Sequence, residues 1–337
     1  MDSLTKRRLD AATLASLIAD AFGPDVGIAK SEELGEGFFN AAFRLLLTDG
    51  RDVVVKASPP PATALLTYES DIMRAEVEFF QAAAAAAVPL PDVLHAGLDR
   101  TVIDGDYVVL SAVEGVTWYP VREALDASQT SALRRDLGSC LARLHRIGNP
   151  KGLFGYPAVP ALSAPTWPEA FTAMLAALVH DADRFGVALP VPGDELLAAV
   201  QRNAGALAEI AAPALVHFDL WPGNILISPP DPAGVPRING LIDGERVIWG
   251  DPLMEFVGAD VYGRADQDPD IRAGYLEAGG VIAEDDAGRR RLALYHLYMQ
   301  LLLLIELAPR GYDDPQYVEW VSSESPKRIL AALAELS

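Results

Sequence analysis

"LVHFDLWPGNILI", residues 215–227, sets His217, Asp219 and Asn224 in one short turn and then runs straight into an apolar strand. Trp221, Pro222 and Gly223 fill the interval between the aspartate and the asparagine. A Pro-Gly pair presets its backbone, so polar side chains around it are held in a fixed order. Downstream, "RINGLID" is a second short apolar run ending on Asp243, and the Pro- and Gly-rich "PPDPAGVPR" joins the two as a turn. An aspartate oxygen, an asparagine oxygen and a third carboxylate brought together make the hard-oxygen site that magnesium prefers. Taken alone, Asp243 could equally be a turn or cap residue.

Upstream, Lys56 ends the apolar run "VVVKA". An ammonium inside a strand is costly without an anionic partner, although a lysine snorkelling from a strand edge also fits. Glu76 and Glu78 lie in the helix that follows, over roughly 68–87, and either could supply the carboxylate. The chain order is strand lysine, helix glutamate, His-x-Asp-x-x-x-x-Asn, strand-end aspartate. Phosphoryl transfer needs such parts: a cation for the nucleotide phosphates, a carboxylate that positions it, metal ligands, and an aspartate where an acceptor hydroxyl loses its proton.

The surrounding chain divides in two. Residues 28–57 read as strands, with Asp49-Gly50 between apolar runs as a hairpin signal, and "DYVVLSAVEG" adds a buried strand. Ahead of them, Leu4, Leu9, Leu14, Leu17, Ile18 and Phe22 space an amphipathic helix, stopped by Gly23-Pro24. Beyond Gly115 the pattern turns helical, with candidates at 128–147, 167–185, 193–211, 287–308 and 323–336. An α+β chain is predicted: a small β-rich N-terminal lobe over 1–110, a connection at 111–115 and a larger helical lobe over 116–337. A cleft between lobes is a common ligand site.

Composition limits the function classes. The chain of 337 residues carries 27 basic against 47 acidic residues, a net charge of −20, which argues against a nucleic-acid partner. That field would favour neutral or cationic small molecules over anionic ones. The single cysteine, Cys140, sits on an apolar helical face and permits neither an intramolecular disulfide nor a thiolate zinc cage. The most apolar window, "LYMQLLLLIELA", is broken by Gln300 and Glu306 and reads as a buried helix rather than a membrane span. A cytoplasmic protein without a membrane partner is the expectation.

These motifs resemble the aminoglycoside phosphotransferase family, small-molecule kinases that share the protein-kinase fold. "VHFDLWPGNILI" resembles its catalytic loop, "LIDGERVIWGDPLMEF" its metal segment, "MRAEVEFFQAAAAAAVPLPDVL" its lysine-pairing helix and following strand, and "LGSCLARLHRI" a core helix ending in histidine, His145. The likeness runs over about residues 33–256. It implies a two-lobed protein-kinase-like fold using ATP or GTP with magnesium, and a small-molecule acceptor. By resemblance Asp219 is the catalytic aspartate, Asn224 and Asp243 hold magnesium, Lys56 meets the phosphates and Glu76 pairs with it. His217 braces the loop. Gly35, Gly37 and Asn40 of "GEGFFN" lie over the phosphates, while Leu110, Ser111 and Val113 border the adenine. Asp260, in the acidic stretch past the metal segment, is the candidate acceptor contact. Three positions depart from the family pattern: Phe218 for glycine, Asn40 for a third glycine, and Glu255 for aspartate.

Overall fold

The computed structural model describes residues 5–35, 40–229 and 234–337. Helix α1 (Ala11–Phe22) opens the described chain, with Asp10 accepting from the Thr13 N–H at its start. Leu4, expected on this helix, lies outside the described residues, and the helix begins only at Ala11. Five strands follow: β1 (Ile28–Glu33), β2 (Ala41–Leu47), β3 (Asp52–Ala57) and, after helix α2 (Ile72–Ala83), β4 (Val93–Gly97) and β5 (Tyr107–Ser111). They form one antiparallel sheet in the order β1-β2-β3-β5-β4. The β2–β3 turn falls at Asp49-Gly50, where Gly50 takes φ 89°, a conformation a side chain resists.

Period-two alternation decides which side of this sheet each residue serves. Val53, Val55, Ala57, Tyr107 and Val109 pack with Leu14, Leu17 and Ile18 of α1 in a small core. Val108 and Leu110 face the other way, into the large core shared by α2 and the helical half of the chain. Lys56 stands between Val55 and Ala57, so it too points away from α1, toward α2.

After β5 the chain passes through Ala112–Gly115 to β6 (Val116–Thr117) and α3 (Trp118–Val121). Gly115 allows close passage there, since a Cβ would fall 2.7 Å from the Ile227 carbonyl oxygen. Helix α4 (Ala127–Leu144), the short strands β7 (Phe154–Gly155) and β8 (Ser163–Ala164), and helices α5 (Trp167–Phe185), α6 (Gly193–Arg202) and α7 (Ala204–Leu207) come next. The one helix expected over 193–211 is two, because Asn203 interrupts it and turns its side chain onto the Ala199 carbonyl at 2.9 Å. Then follow β9 (Ala214–Val216), β10 (Ile225–Ile227), β11 (Ile238–Leu241), β12 (Ile248–Gly250), and helices α8 (Leu253–Ala259), α9 (Pro269–Glu277), α10 (Asp286–Arg310) and α11 (Pro315–Glu335). β6, β10 and β11 form one small sheet, and β8, β7, β12 and β9 another. Helix α10 is the one described helix long and apolar enough to cross a membrane, but 78% of its apolar window is buried inside the protein. The fold is thus a small antiparallel sheet packed on a larger helical region.

Candidate active site

The loop 217–224 leaves β9 and enters β10 through a 3₁₀ turn at Pro222–Asn224. Its backbone is pinned from two sides. Glu255 on α8 accepts from the N–H groups of His217 at 2.7 Å and Phe218 at 3.0 Å. His217 is fully buried; its Nε2 lies 2.9 Å from the Ile242 carbonyl, and its Nδ1 accepts from the Asp219 N–H at 3.3 Å. Those partners assign a neutral Nε2–H tautomer, consistent with burial holding the imidazole pKa below its ordinary value. His217 therefore braces the loop. Phe218 takes φ 66°, a region that glycine enters freely and a phenylalanine only with strain, and its ring is buried near Tyr298.

Asn224 donates from Nδ2 to the Asp219 carbonyl at 2.8 Å and to Asp219 Oδ2 at 3.2 Å. Committing the nitrogen this way leaves the amide oxygen for a cation. Across the site, Lys56 Nζ bonds Glu76 Oε1 at 2.6 Å and Asp243 Oδ1 at 2.5 Å. Glu78 instead accepts from the Trp249 indole at 2.9 Å, so the helix offers only Glu76 to the lysine. Burial works against the lysine's charge, but Asp243 and Glu76 overcome it and raise its pKa. Burial likewise works against Asp243, and Lys56 reverses the effect, keeping that carboxyl below its usual range.

A residue not anticipated from the sequence completes this corner. Glu245 follows Asp243 through a 3₁₀ turn and lies 2.5 Å from Asn40 Nδ2. Ligand oxygens of Glu76, Asp243 and Glu245 lie within 4.8 Å of one another. Three carboxylates against one ammonium leave an excess of negative charge, and burial followed by Asp243 pushes the Glu245 carboxyl well up. Two buried acceptor atoms at this corner, Glu76 Oε2 and Asn40 Oδ1, find no hydrogen-bond partner among the described residues. Hard oxygens, excess charge and unpaired acceptors are what a divalent cation relieves, so the donor set fits magnesium.

Beneath Asp219 runs a buried chain of alternating charge, also unforeseen. Arg246 Nε lies 3.8 Å from Asp219 Oδ2, and its Nη2 bonds Glu306 Oε2 at 2.9 Å. Glu306 lies 3.6 Å from Arg310, which bonds Glu69 at 2.6 Å. Glu69 sits just ahead of α2, so the ladder joins the segment leading into that helix to the loop 217–224. Burial pushes the Asp219 carboxyl up to about 7, with Arg246 opposing and Asp243 adding to the rise.

The sequence profile of the phosphotransferase enzyme family (APH) matches residues 30–295. The chain belongs to that family.

No curated protein matches the sequence significantly. Among solved structures, a protein provisionally named a fructosamine-3-kinase, from Thermobifida fusca, is 20% identical with a TM-score of 0.64, covering 96% of this chain and 98% of its own. The macrolide 2'-phosphotransferase MphH of Brachybacterium faecium is 17% identical with a TM-score of 0.54, covering 98% of each chain. APH(2")-IIa, in a ternary complex with streptomycin and ATP, is 16% identical with a TM-score of 0.57, covering 96% and 99%. At these identities the likeness speaks for a shared kinase-like fold.

The other anticipated residues of this phosphotransferase fall as follows. Leu110 is buried at the end of β5, and Ser111 pairs with Asp92 through its backbone N–H at 2.9 Å and its hydroxyl at 2.8 Å. Val113 lies against Gly240, where a Cβ would fall 2.9 Å from its side chain. Gly35 is exposed in the turn after β1, and Gly37 lies outside the described residues. Asp260 caps the C-terminus of α8, exposed, and its side chain makes no hydrogen bond among the described residues. His145 bonds Tyr275 at 2.9 Å and lies 3.6 Å from Glu255, as suits a structural histidine. Cys140 is buried in the core.

Proposed function

We propose that this phosphotransferase is a small-molecule kinase moving the γ-phosphoryl group of ATP, or of GTP, to an acceptor hydroxyl. The observation that carries the reading is the meeting of Asp219 and Asn224 on one loop with Lys56, Glu76 and Asp243 at the facing corner. In the reaction the acceptor oxygen forms a bond to the γ-phosphorus and the bond from that phosphorus to the β-bridging oxygen breaks. The nucleoside diphosphate leaves with that electron pair. Asp219, fixed through Oδ2 by Asn224, presents Oδ1 to orient the acceptor hydroxyl and receive its proton. Lys56, held by Glu76, meets phosphate oxygens as a fixed positive charge. Magnesium, held by Asn224 and Asp243 with Glu245 alongside, supplies charge neutralisation to the phosphates when bound.

Residues 1–110 would serve as the nucleotide lobe, 111–115 as the hinge with Leu110, Ser111 and Val113 along the base, and 116–337 as the catalytic and acceptor lobe. Asn40, with Gly35 and Gly37, would close over the phosphates. An aminoglycoside or amino-sugar-like acceptor, neutral or cationic, is the finer reading, with a sugar, ketosamine or choline-type kinase of the same fold as the runner-up; the net charge of −20 supports a neutral or cationic acceptor, with Asp260 as the contact it would offer. A catalytically silent nucleotide-binding regulator is the less favoured reading, because Lys56, Asp219, Asn224 and Asp243, the groups the transfer would use, are all present in the sequence. Calorimetry with a non-hydrolysable ATP analogue tests the proposal. Binding that strengthens with magnesium, and loses that dependence in Asp243→Asn, is expected; no binding with or without the ion would refute it.

A further inference from the structure

The corner around Lys56 holds more acceptor atoms than the proposed transfer uses. The lysine donates to one oxygen of Glu76, Oε1, and to one of Asp243, Oδ1. Glu76 is fully buried, and its second oxygen, Oε2, finds no hydrogen-bond partner among the described residues. Asn40, 4% exposed, donates from Nδ2 to Glu245 Oε2 at 2.5 Å, and its Oδ1 likewise finds no partner among them. The bonds of the amide, about 1.2 and 1.3 Å long, keep that Oδ1 within about 5 Å of the same Glu245 oxygen. The amide oxygen is thus left over beside the carboxylates.

A buried acceptor without a donor is costly, and a pair of them at one corner asks for a shared cation. The Lys56 ammonium is already committed to the other oxygens of Glu76 and Asp243. Ligand oxygens of Glu76, Asp243 and Glu245 lie within 4.8 Å of one another. Opposite ligands of magnesium stand about 4.2 Å apart, so small side-chain shifts would close the group on an ion. With all three carboxyls ionised, they outnumber the ammonium by the charge of one divalent cation. Every donor in the group is an oxygen, which favours magnesium or manganese over zinc. The Asp243 side chain is 31% exposed, and it leaves a side open for the ion and for the waters that complete its shell.

We infer that Glu76, Asp243, Glu245 and Asn40 form a divalent-cation site that fills without nucleotide, distinct from the Asn224–Asp243 pair assigned to the nucleotide's magnesium. Its donors come from both parts of the fold. Asn40 directly precedes β2 and Glu76 lies on α2, whereas Asp243 and Glu245 belong to the turn after β11. An ion here ties the sheet and its helix to the helical region before any nucleotide arrives. The site shares Asp243 with the kinase reading but does not depend on phosphoryl transfer.

The test is manganese binding by the full-length, nucleotide-free protein, read from loss of the free ion's electron paramagnetic resonance signal, with magnesium as competitor. One ion per chain, displaced by magnesium, should stand out above weak binding by the acidic surface. Glu245→Gln keeps an acceptor for Asn40 but removes a charge, and it should weaken this ion by at least about tenfold; Asn40→Ala should do the same. Asn224→Ala, and Glu319→Gln on the exposed surface, should leave it unchanged. Manganese should also raise the urea midpoint of the native protein and not that of Glu245→Gln, since only an ion held by the folded state stabilises it. Absence of a stoichiometric ion would overturn the site, as would binding that survives Glu245→Gln or is abolished by Asn224→Ala. If the ion is absent but the ATP analogue still binds with magnesium, the kinase reading stands alone. If the ion binds and the analogue does not, this site stands and the kinase reading falls.

Discussion

Replacing Arg246 with methionine removes the middle rung of the buried ladder and probes stability and chemistry together. Arg246 is 7% exposed, and its guanidinium bonds Glu306 at 2.9 Å and lies 3.8 Å from Asp219. Taking one partner from a buried pair costs about 3–5 kcal/mol, because the remaining charge is left in a poor solvent. Arg310 stays 3.6 Å from Glu306, though it also serves Glu69, so the lower end, about 3 kcal/mol, is expected. With a urea m-value of about 3 kcal/mol/M for a chain of this size, the unfolding midpoint should fall by about 1 M. The chemical effect has a definite sign. Burial holds the Asp219 carboxyl near 7, and Arg246 is the largest influence pulling it down. In the proposed transfer Asp219 must be ionised to accept a proton, so turnover should rise as pH passes upward through its pKa. Without Arg246 that limb moves to higher pH, and Arg246→Lys should restore part of both effects. Urea titration at pH 8 and a pH–rate profile of ATP turnover are the assays. An unchanged midpoint, or a limb that stays put or moves down, would refute the ladder.

Lys56→Met leaves Glu76, Asp243 and Glu245 together without their ammonium, and both nucleotide affinity and turnover should fall by at least about tenfold, read by calorimetry and ADP release. His296 has a buried Nε2 with no hydrogen-bond partner among the described residues, and burial lowers its pKa from 6.5 to about 4. Its stabilising contribution is fully present above pH 6.5 and is lost as pH falls toward 4, by at most roughly 3 kcal/mol. The urea midpoint of His296→Gln should accordingly fall less than that of the native protein over this range; parallel curves would count against it. Gly244→Ala would set a Cβ 2.3 Å from the Phe79 ring, and overpacking of this kind should cost about 1–3 kcal/mol in the same titration.

The parts of the site read from sequence are those where chemistry fixes residue type at short range. Asp219 and Asn224 are five positions apart on one turn, and Asp243 stands two residues past β11, so their order in the chain, together with the family resemblance, suggested their meeting. The hairpin at Asp49-Gly50 was legible for the same reason, since only special residues fit that turn. Glu69 and Arg310 had no such signal. They are 241 positions apart, and each taken separately looks like a charge on a solvated helix face. Glu245 and Arg246 lay inside the quoted metal segment, yet nothing local distinguished them from surface residues. A hint existed, because they follow Asp243 and precede the apolar "VIWG" without a loop residue between. Helix ends erred where tertiary structure overruled propensity. The alanine run suggested a helix to residue 87, but α2 ends at Ala83 and Ala87 takes φ 53°. The two-residue strands β7 and β8 carry too few residues to show any period.

The account stands most directly on Asp219. The deciding measurement compares acceptor-dependent ADP release by the native protein and Asp219→Asn, with the affinity of each for a non-hydrolysable ATP analogue measured in parallel. A general base of this kind contributes on the order of 10²-fold or more, so turnover should drop by at least that factor while nucleotide affinity holds. Turnover near the native level in Asp219→Asn, with the nucleotide still bound, would contradict the assignment of the loop at 217–224 as the seat of the chemistry.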